Sequence, residues 1–251
     1  MLVINTFKYE KLKFLITGTG RCGTVFFAHL LTDMGIPCGH EHIFNFENKK
    51  KCISRYCDPT KRLNSVCSET KFLDESYNKK FVDPTKTVAE SSYFLVPYLN
   101  FAYLQNIPLI HVARHPFKVI RSFVEDFKYF VFKEPNEIKV IGIYENFIYS
   151  VYPEIKNYDT PYDRAAQYYI SCNKKILEQE DKRPYLFIKI EEIQNKKKEL
   201  EKFLKKPFPI FLPDHLNSKA PSKKQTIDLS FFESNTIKEN LKEIMDHFEY
   251  S

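Results

Sequence analysis

Residues 12–16 (LKFLI) form a short apolar run that stops at a glycine-rich stretch, a pattern that predicts a buried strand. Residues 25–35 then place Phe26, Phe27, Leu30, Leu31 and Met34 at helical spacing, with Gly35 as the C-terminal stop. A second strand is predicted over 86–89 and a helix over 92–105. A third strand follows at 108–113 (PLIHVA), and Pro116 opens a helix at the position proline favours. Residues 161–180 read as a long helix with Ala165, Tyr168, Tyr169, Cys172 and Ile176 along one face. A fourth strand at 185–190 (YLFIKI), a short helix at 196–204 and a helix at 237–248 complete the pattern. The last of these puts Ile237, Leu241, Ile244, Met245 and Phe248 on one stripe, as a docked amphipathic helix does rather than a membrane anchor. Strands alternating with helices predict an α/β fold, a three-layer parallel sheet with helices on both faces. No repeat or Pro/Gly/Ser-rich linker divides the chain, so residues 1–251 are expected to form a single domain. Around 40–85 the periodicity is lost, which predicts an irregular excursion or lid.

Of the 251 residues, 43% are hydrophobic and 28% charged, the balance of a globular chain that can bury a core without disulfide or metal staples. No run reaches about 18 uninterrupted apolar residues. The best stretch, 93–113, is broken by Pro97, Asn100, Gln105, Asn106 and Pro108, so no membrane span is expected. Lys8 arrives before any long apolar stretch, so no secretory signal is expected either, and a cytoplasmic location follows. A formal charge of +6 suits an anionic ligand but is too small for a nucleic-acid coat, and no nucleic-acid partner is expected. Five of the six cysteines fall within the first 67 residues. Without an export signal they are expected to be reduced thiols. Cys38, His40, His42, Cys52, Cys57 and Cys67 could be gathered around zinc, yet none of their spacings forms a CxxC knuckle, and small buried thiols are the simpler reading.

Glycine is more informative. The chain has only six glycines, and three occupy one heptapeptide, Gly18-Thr19-Gly20-Arg21-Cys22-Gly23-Thr24. Such concentration asks for unusual backbone geometry or close approach of a ligand. Strand, glycine loop and helix in that order aim backbone N–H groups and a positive helix end at an anion. A magnesium-dependent P-loop kinase would read GxxxxGK[ST]. Gly18 and Gly23 have that separation, but Thr24 stands where the lysine should be, Val25 follows, and the cation lies inside the loop at Arg21. Such enzymes commonly end a neighbouring apolar strand in a magnesium-binding Asp. Here the strand runs into Arg114-His115, and a guanidinium fork binds anions, not magnesium. The pattern suits neutralisation of phosphate and sulfate by side chains, which is reasonable for a sulfuryl group because it carries less charge than a phosphoryl group.

These residues resemble the sulfotransferases that use 3′-phosphoadenosine 5′-phosphosulfate (PAPS). The family's loop carries a basic residue followed by x-G-T, here Arg21-Cys22-Gly23-Thr24. Its second signature is an apolar strand, Arg-x-Pro, and a Ser eight residues after the Arg; it stands here as HVARHPFKVIRSF, with Arg114, Pro116 and Ser122. Weaker similarity extends to YLFIKIEEIQNKKKELEKFL and to HLNSKAPSKK at 215–224, which looks like the basic late loop that closes over the cofactor and brings in Ser218, Lys219 and Lys223. Lys118 departs from the pattern, since many relatives carry Asp there. The resemblance covers residues 12–42, 86–123 and 185–224. It implies a P-loop NTPase-like sulfotransferase architecture, PAPS as co-substrate without metal, and a hydroxyl or amine acceptor on a small molecule, carbohydrate or peptide. It also implies that Arg114 and Ser122 hold the 3′-phosphate, that Gly18–Thr24 cradles the other end, and that Arg21 sits by the bridging oxygen. The competing readings are a magnesium-dependent P-loop kinase and a non-catalytic nucleotide-binding module.

Two carboxylates compete as general base. Glu41, in Cys38-Gly39-His40-Glu41, resembles the glutamate of tyrosylprotein and trehalose-type sulfotransferases. Glu90, in ESSYF, resembles that of the E-K-[ST]-x-x-Y-F stretch in heparan-type enzymes, with Ser91 replacing the lysine. Both are expected at carboxyl ends of the sheet or just after the loop helix, where ligands gather in such folds. His40 and His42 could orient substrate, whereas His29 and His111 read as structural groups. The aromatic-rich stretches 40–83 and 127–162 are expected to form the acceptor pocket.

Overall fold

Short segments of small and apolar residues pair into one all-parallel five-stranded sheet: β1 (Phe14–Thr17), β2 (Cys38–His40), β3 (Ala89–Ser91), β4 (Leu109–Ala113) and β5 (Tyr185–Lys189), in the order β2-β3-β1-β4-β5. The computed structural model describes residues 12–41, 88–102, 104–131, 143–210, 212 and 226–250. The helices are α1 (Thr24–Asp33), α2 (Pro116–Arg121), α3 (Ile143–Val151), α4 (Pro161–Leu177), α5 (Lys197–Leu204) and α6 (Asn235–His247).

Side chains alternate across the strands, and this sorts the core into two layers. Ile16, Ile110, Val112 and Ile188 pack with Phe27 and Leu31 of α1 and Leu200 and Leu204 of α5. On the other face Leu15 and Leu109 join Val119 of α2, Ile148 of α3, Tyr168 and Tyr169 of α4 and Leu241 of α6. The three-layer parallel α/β arrangement expected from the pattern is therefore present. Among the described residues no helix is long and apolar enough to cross a membrane. The stripe on α6 is docked, with Ile237, Leu241, Ile244 and Phe248 buried.

Helix ends follow local chemistry. After α1, Gly35 takes φ 78°, and the Ile36 N–H returns to the Leu31 carbonyl at 2.8 Å, closing the left-handed stop that glycine allows. Thr160 caps α4 by accepting from Asp163 N at 3.0 Å, and Pro161 occupies the first helical position.

Several expectations need correction. The 92–105 helix is only a 3₁₀ segment, Tyr93–Tyr98, because Pro97 inside it lacks the N–H that an α-helix needs. The second apolar run pairs over Ala89–Ser91 rather than 86–89, and Cys38–His40, with no apolar run to announce it, pairs beside it as the sheet edge. The 127–162 stretch is not an irregular pocket wall throughout. It contains α3 and a 3₁₀ turn, Pro153–Asn157, and its Phe130, Phe147, Tyr149 and Tyr152 are buried in the core. Nearly all of the 40–85 excursion and the 215–224 loop, with Ser218, Lys219 and Lys223, lie outside the described residues.

His111 is the satisfied core histidine its strand position suggests: fully buried, with Nδ1 2.6 Å from Tyr185 Oη and Nε2 2.9 Å from Asn173 Oδ1. Burial holds its pKa down at about 4, from an ordinary 6.5. The folded state thus binds this proton less readily than the unfolded chain. The resulting stability is fully present above pH 6.5 and declines as pH falls toward 4, by a total of about 3 kcal/mol. Urea melts across that range are expected to show the slope, and His111→Gln to flatten it.

Candidate functional site

The sheet order determines where a ligand can sit. From β1 the chain runs to β2 and β3 on one side, then crosses to β4 and β5 on the other, so the carboxyl ends of β1 and β4 flank a crevice at a topological switch point. Gly18–Thr24 follows β1 and Arg114 follows β4, so the two stretches singled out in the sequence meet there.

The loop needs its glycines. A Cβ at Gly18 would lie 2.1 Å from the Val112 carbonyl oxygen, and Gly23 takes φ 110° as the residue preceding α1. Arg21 also takes a left-handed φ, 70°, without glycine's freedom. Alternating left-handed residues curl main-chain N–H groups into the concave arrangement that binds anions. No side chain caps the start of α1, and the first turn of any helix leaves its N–H groups without intrahelical partners. Not every loop amide is available. Gly20 N–H donates to Tyr168 Oη (3.4 Å) and Cys22 N–H to the Thr19 carbonyl (3.3 Å), which narrows the cradle toward Gly23, Thr24 and the turn behind them. Burial pushes the Cys22 thiol up to about 12, so it is no nucleophile.

The second stretch reaches the first directly. Arg21 Nε donates to Ser122 Oγ at 3.4 Å, and Arg114 Nη1 to the Arg21 carbonyl at 3.3 Å. After α2 the chain widens into a π turn, Ser122–Asp126, closed by Phe127 N–H on the Ser122 carbonyl (3.2 Å). That turn brings both Ser122 and Phe127 to Arg21, whose guanidinium carbon lies 4.2 Å from the Phe127 ring centroid. Lys118 bonds Glu191 Oε1 at 3.4 Å, and the same oxygen accepts from His115 N at 3.1 Å. The departure at Lys118 is therefore matched by Glu191 of the acidic pair, which ties the Arg114-His115 corner to the end of β5.

The two candidate bases sit in different surroundings. Glu41 follows β2 with φ 57°, and its N–H donates to the Ser91 carbonyl at 3.2 Å. Its side chain is 17% exposed, and its Oε1 is 3.7 Å from His40 Nε2, which in turn lies 3.2 Å from Thr24 Oγ1. Glu41 is thus connected through one imidazole to the loop helix. Ser91 completes the link by donating to the Thr24 carbonyl at 2.7 Å. Glu90 does not end its strand as expected. It is the middle residue of β3, level with Leu15 in β1, fully buried and on the sheet face away from α1. Tyr129 reports the charges gathered here: burial pushes its hydroxyl up to about 12, Glu145 and Glu41 add to the rise, and Arg21 opposes it.

Sequence reasoning placed Gly18, Thr19, Gly20, Arg21, Cys22, Gly23, Thr24, Arg114, Ser122 and Glu41 at the carboxyl edge of the sheet, where the structure has them. It missed the contacts of Phe127 with Arg21 and of Ser91 with Thr24, and the polar ends of Tyr168 and Tyr169. Only the apolar bodies of the two tyrosines register in a periodicity, and hydroxyl contacts made across the fold leave no local pattern. No protein-family model matches the sequence, and no curated protein matches it.

Proposed function

We propose that this chain is a sulfotransferase that moves the sulfuryl group of PAPS to a hydroxyl or amine acceptor. The observation that carries the reading is the convergence of Arg21, Arg114 and Ser122, from two stretches about a hundred residues apart in the sequence, around one left-handed glycine loop at the β1/β4 crevice. Two guanidinium groups, a hydroxyl and an amide cradle suit a nucleotide with anions at both ends.

In-line transfer forms a bond from the acceptor oxygen or nitrogen to sulfur while the bond from sulfur to the bridging oxygen breaks. The electron pair leaves with the nucleotide's 5′-phosphate, and the acceptor's proton passes to a carboxylate. The chain's residues serve each part. Gly23, Thr24 and the start of α1 offer fixed dipoles to the phosphate. Arg21 faces the charge that develops on the departing oxygen, Arg114 and Ser122 grip the ribose phosphate, and Glu41 takes the proton, steadied by His40. A magnesium kinase is the weaker reading, since Thr24 replaces the phosphate-binding lysine and Arg114 stands where a metal-binding Asp would be.

The test is transfer of labelled sulfate from PAPS to a panel of phenol, sugar and tyrosyl-peptide acceptors in the presence of EDTA. Transfer to at least one acceptor, undiminished by the chelator, is expected. Magnesium-dependent ATP turnover without such transfer would overturn the reading, and nucleotide binding with no transfer to any acceptor class would leave a binding module.

A further inference from the structure

Two consecutive tyrosines of α4 touch the two halves of the crevice from beneath. Tyr168 and Tyr169 are 1% and 0% exposed. Tyr168 Oη accepts from Gly20 N–H in the loop, and Tyr169 Oη donates to the Arg114 carbonyl at 2.9 Å. Successive residues on a helix diverge by about 100°, so one helix can address two separate segments at a single level. Burial pushes both phenols well above their ordinary range, so both hydroxyls keep their protons.

The helix that presents them is itself fixed on both sides. One turn further along, Asn173 Oδ1 meets His111 Nε2 of β4 at 2.9 Å. One turn earlier, the buried Arg164 guanidinium donates to the carbonyls of Phe130, Val131, Tyr158 and Asp159 at 2.6–3.0 Å. A rigid α4 therefore refers the loop and the Arg114 corner to one frame. The loop and that corner also touch directly, at Gly18 against Val112 and at Arg114 against the Arg21 carbonyl. Phenylalanine at either position would fill nearly the same volume, so what the hydroxyls add is main-chain registration.

The geometry points to Tyr168 and Tyr169 as positioning residues that set the separation between the loop and Arg114, with Tyr169 governing preference for a nucleotide bearing a ribose 3′-phosphate as well as a 5′-phosphate. The inference rests on the nucleotide-binding reading above and assigns to two buried hydroxyls a selectivity that neither achieves by touching the ligand. Tyr168 acts on the end that all adenosine 5′-phosphates share, and Tyr169 on the end that only the 3′-phosphorylated ones have.

Calorimetric titration of the full chain with 3′-phosphoadenosine 5′-phosphate and with adenosine 5′-monophosphate tests this. Tyr169→Phe is expected to weaken the first ligand about fivefold to tenfold and the second less than about twofold, the scale of one hydrogen bond. Tyr168→Phe is expected to weaken both by a similar factor. Combined with Arg114→Ala, Tyr169→Phe should add almost nothing further, because both changes act through the same contact. Equal weakening of both ligands by Tyr169→Phe, no weakening at all, or full additivity with Arg114→Ala would reduce Tyr169 to a packing residue and overturn the inference while wild-type binding of the bisphosphate stands. If the wild-type chain binds neither nucleotide, the nucleotide reading and the inference fall together.

Discussion

Replacing Arg21 with alanine is expected to lower sulfuryl-transfer turnover by about 10²–10³ while leaving a folded protein. The size follows from the loss of one preorganised donor aimed, in the proposed reaction, at the developing charge. The fold should survive because Arg21 lies in the loop, outside both core layers. Its side chain is partly exposed, and its contacts include a long bond to Ser122 and a ring contact to Phe127. Each is of a kind worth about 1 kcal/mol. The backbone pulls the other way: at φ 70°, a non-glycine residue carries strain of about 1–2 kcal/mol. Arg21→Gly should therefore melt at or above the temperature of the alanine variant and be just as inactive. A stable, strained position that loses only chemistry when relieved is the signature of a functional residue. Near-normal turnover in either variant would remove Arg21 from the mechanism.

Glu41→Gln is expected to cost a factor of about 10²–10⁴ in turnover and to abolish the acidic limb of the pH–rate profile, since only the base must be deprotonated to act. Glu90→Gln should leave that limb in place. The ground is position. Glu41 lies at the edge of the crevice with a solvent-reachable side chain, 3.7 Å from the His40 imidazole that meets Thr24. Glu90 lies inside β3 on the face away from α1, fully buried at the level of Leu15. Charge on Glu90 also bears on the buried Cys38 thiol, whose pKa rises chiefly through its own burial and secondarily through that carboxylate. Glu90→Gln is therefore expected to show in thermal stability rather than in the profile. If instead the acidic limb vanishes in Glu90→Gln and persists in Glu41→Gln, the roles are exchanged.

The sequence announced those parts of the fold that depend on local repetition. The β1 run, the α1 stripe closed by Gly35 and the α6 stripe each carry their own period, and each forms within a residue or two of the expected bounds. It was silent where pairing partners decide. Cys38–His40 is a strand because β3 lies beside it, and its Cys-Gly-His composition carries no strand preference. The 92–105 stretch misled because a long apolar run does not distinguish helix types, and Pro97 lacks the N–H that an α-helix would require. The aromatic residues after Phe127 looked like a pocket lining because composition does not say which way a ring faces.

The site was legible for a different reason. Three glycines in seven residues, with one arginine inside that loop and another at a strand end, are a demand on backbone and charge that the sequence states outright. What it could not state is how the parts are held together. The π turn that brings Ser122 and Phe127 to Arg21, the Glu191 carboxylate beneath His115, and the Tyr168–Tyr169 pair are all contacts between residues far apart in the chain. They emerge only once the helices have packed.

In the proposed function, cations from two stretches grip a nucleotide with anions at both ends. Thermal melting with saturating 3′-phosphoadenosine 5′-phosphate, set against ATP plus magnesium, tests it most directly, with Arg114→Ala run in parallel. Ligand at about 100 times its dissociation constant adds roughly 2.7 kcal/mol, which for a chain of this size is a rise of about 5–10 °C. That rise is expected for the bisphosphate alone, together with its loss in Arg114→Ala. A rise with ATP and magnesium but not with the bisphosphate, or a bisphosphate effect that Arg114→Ala leaves untouched, would contradict it.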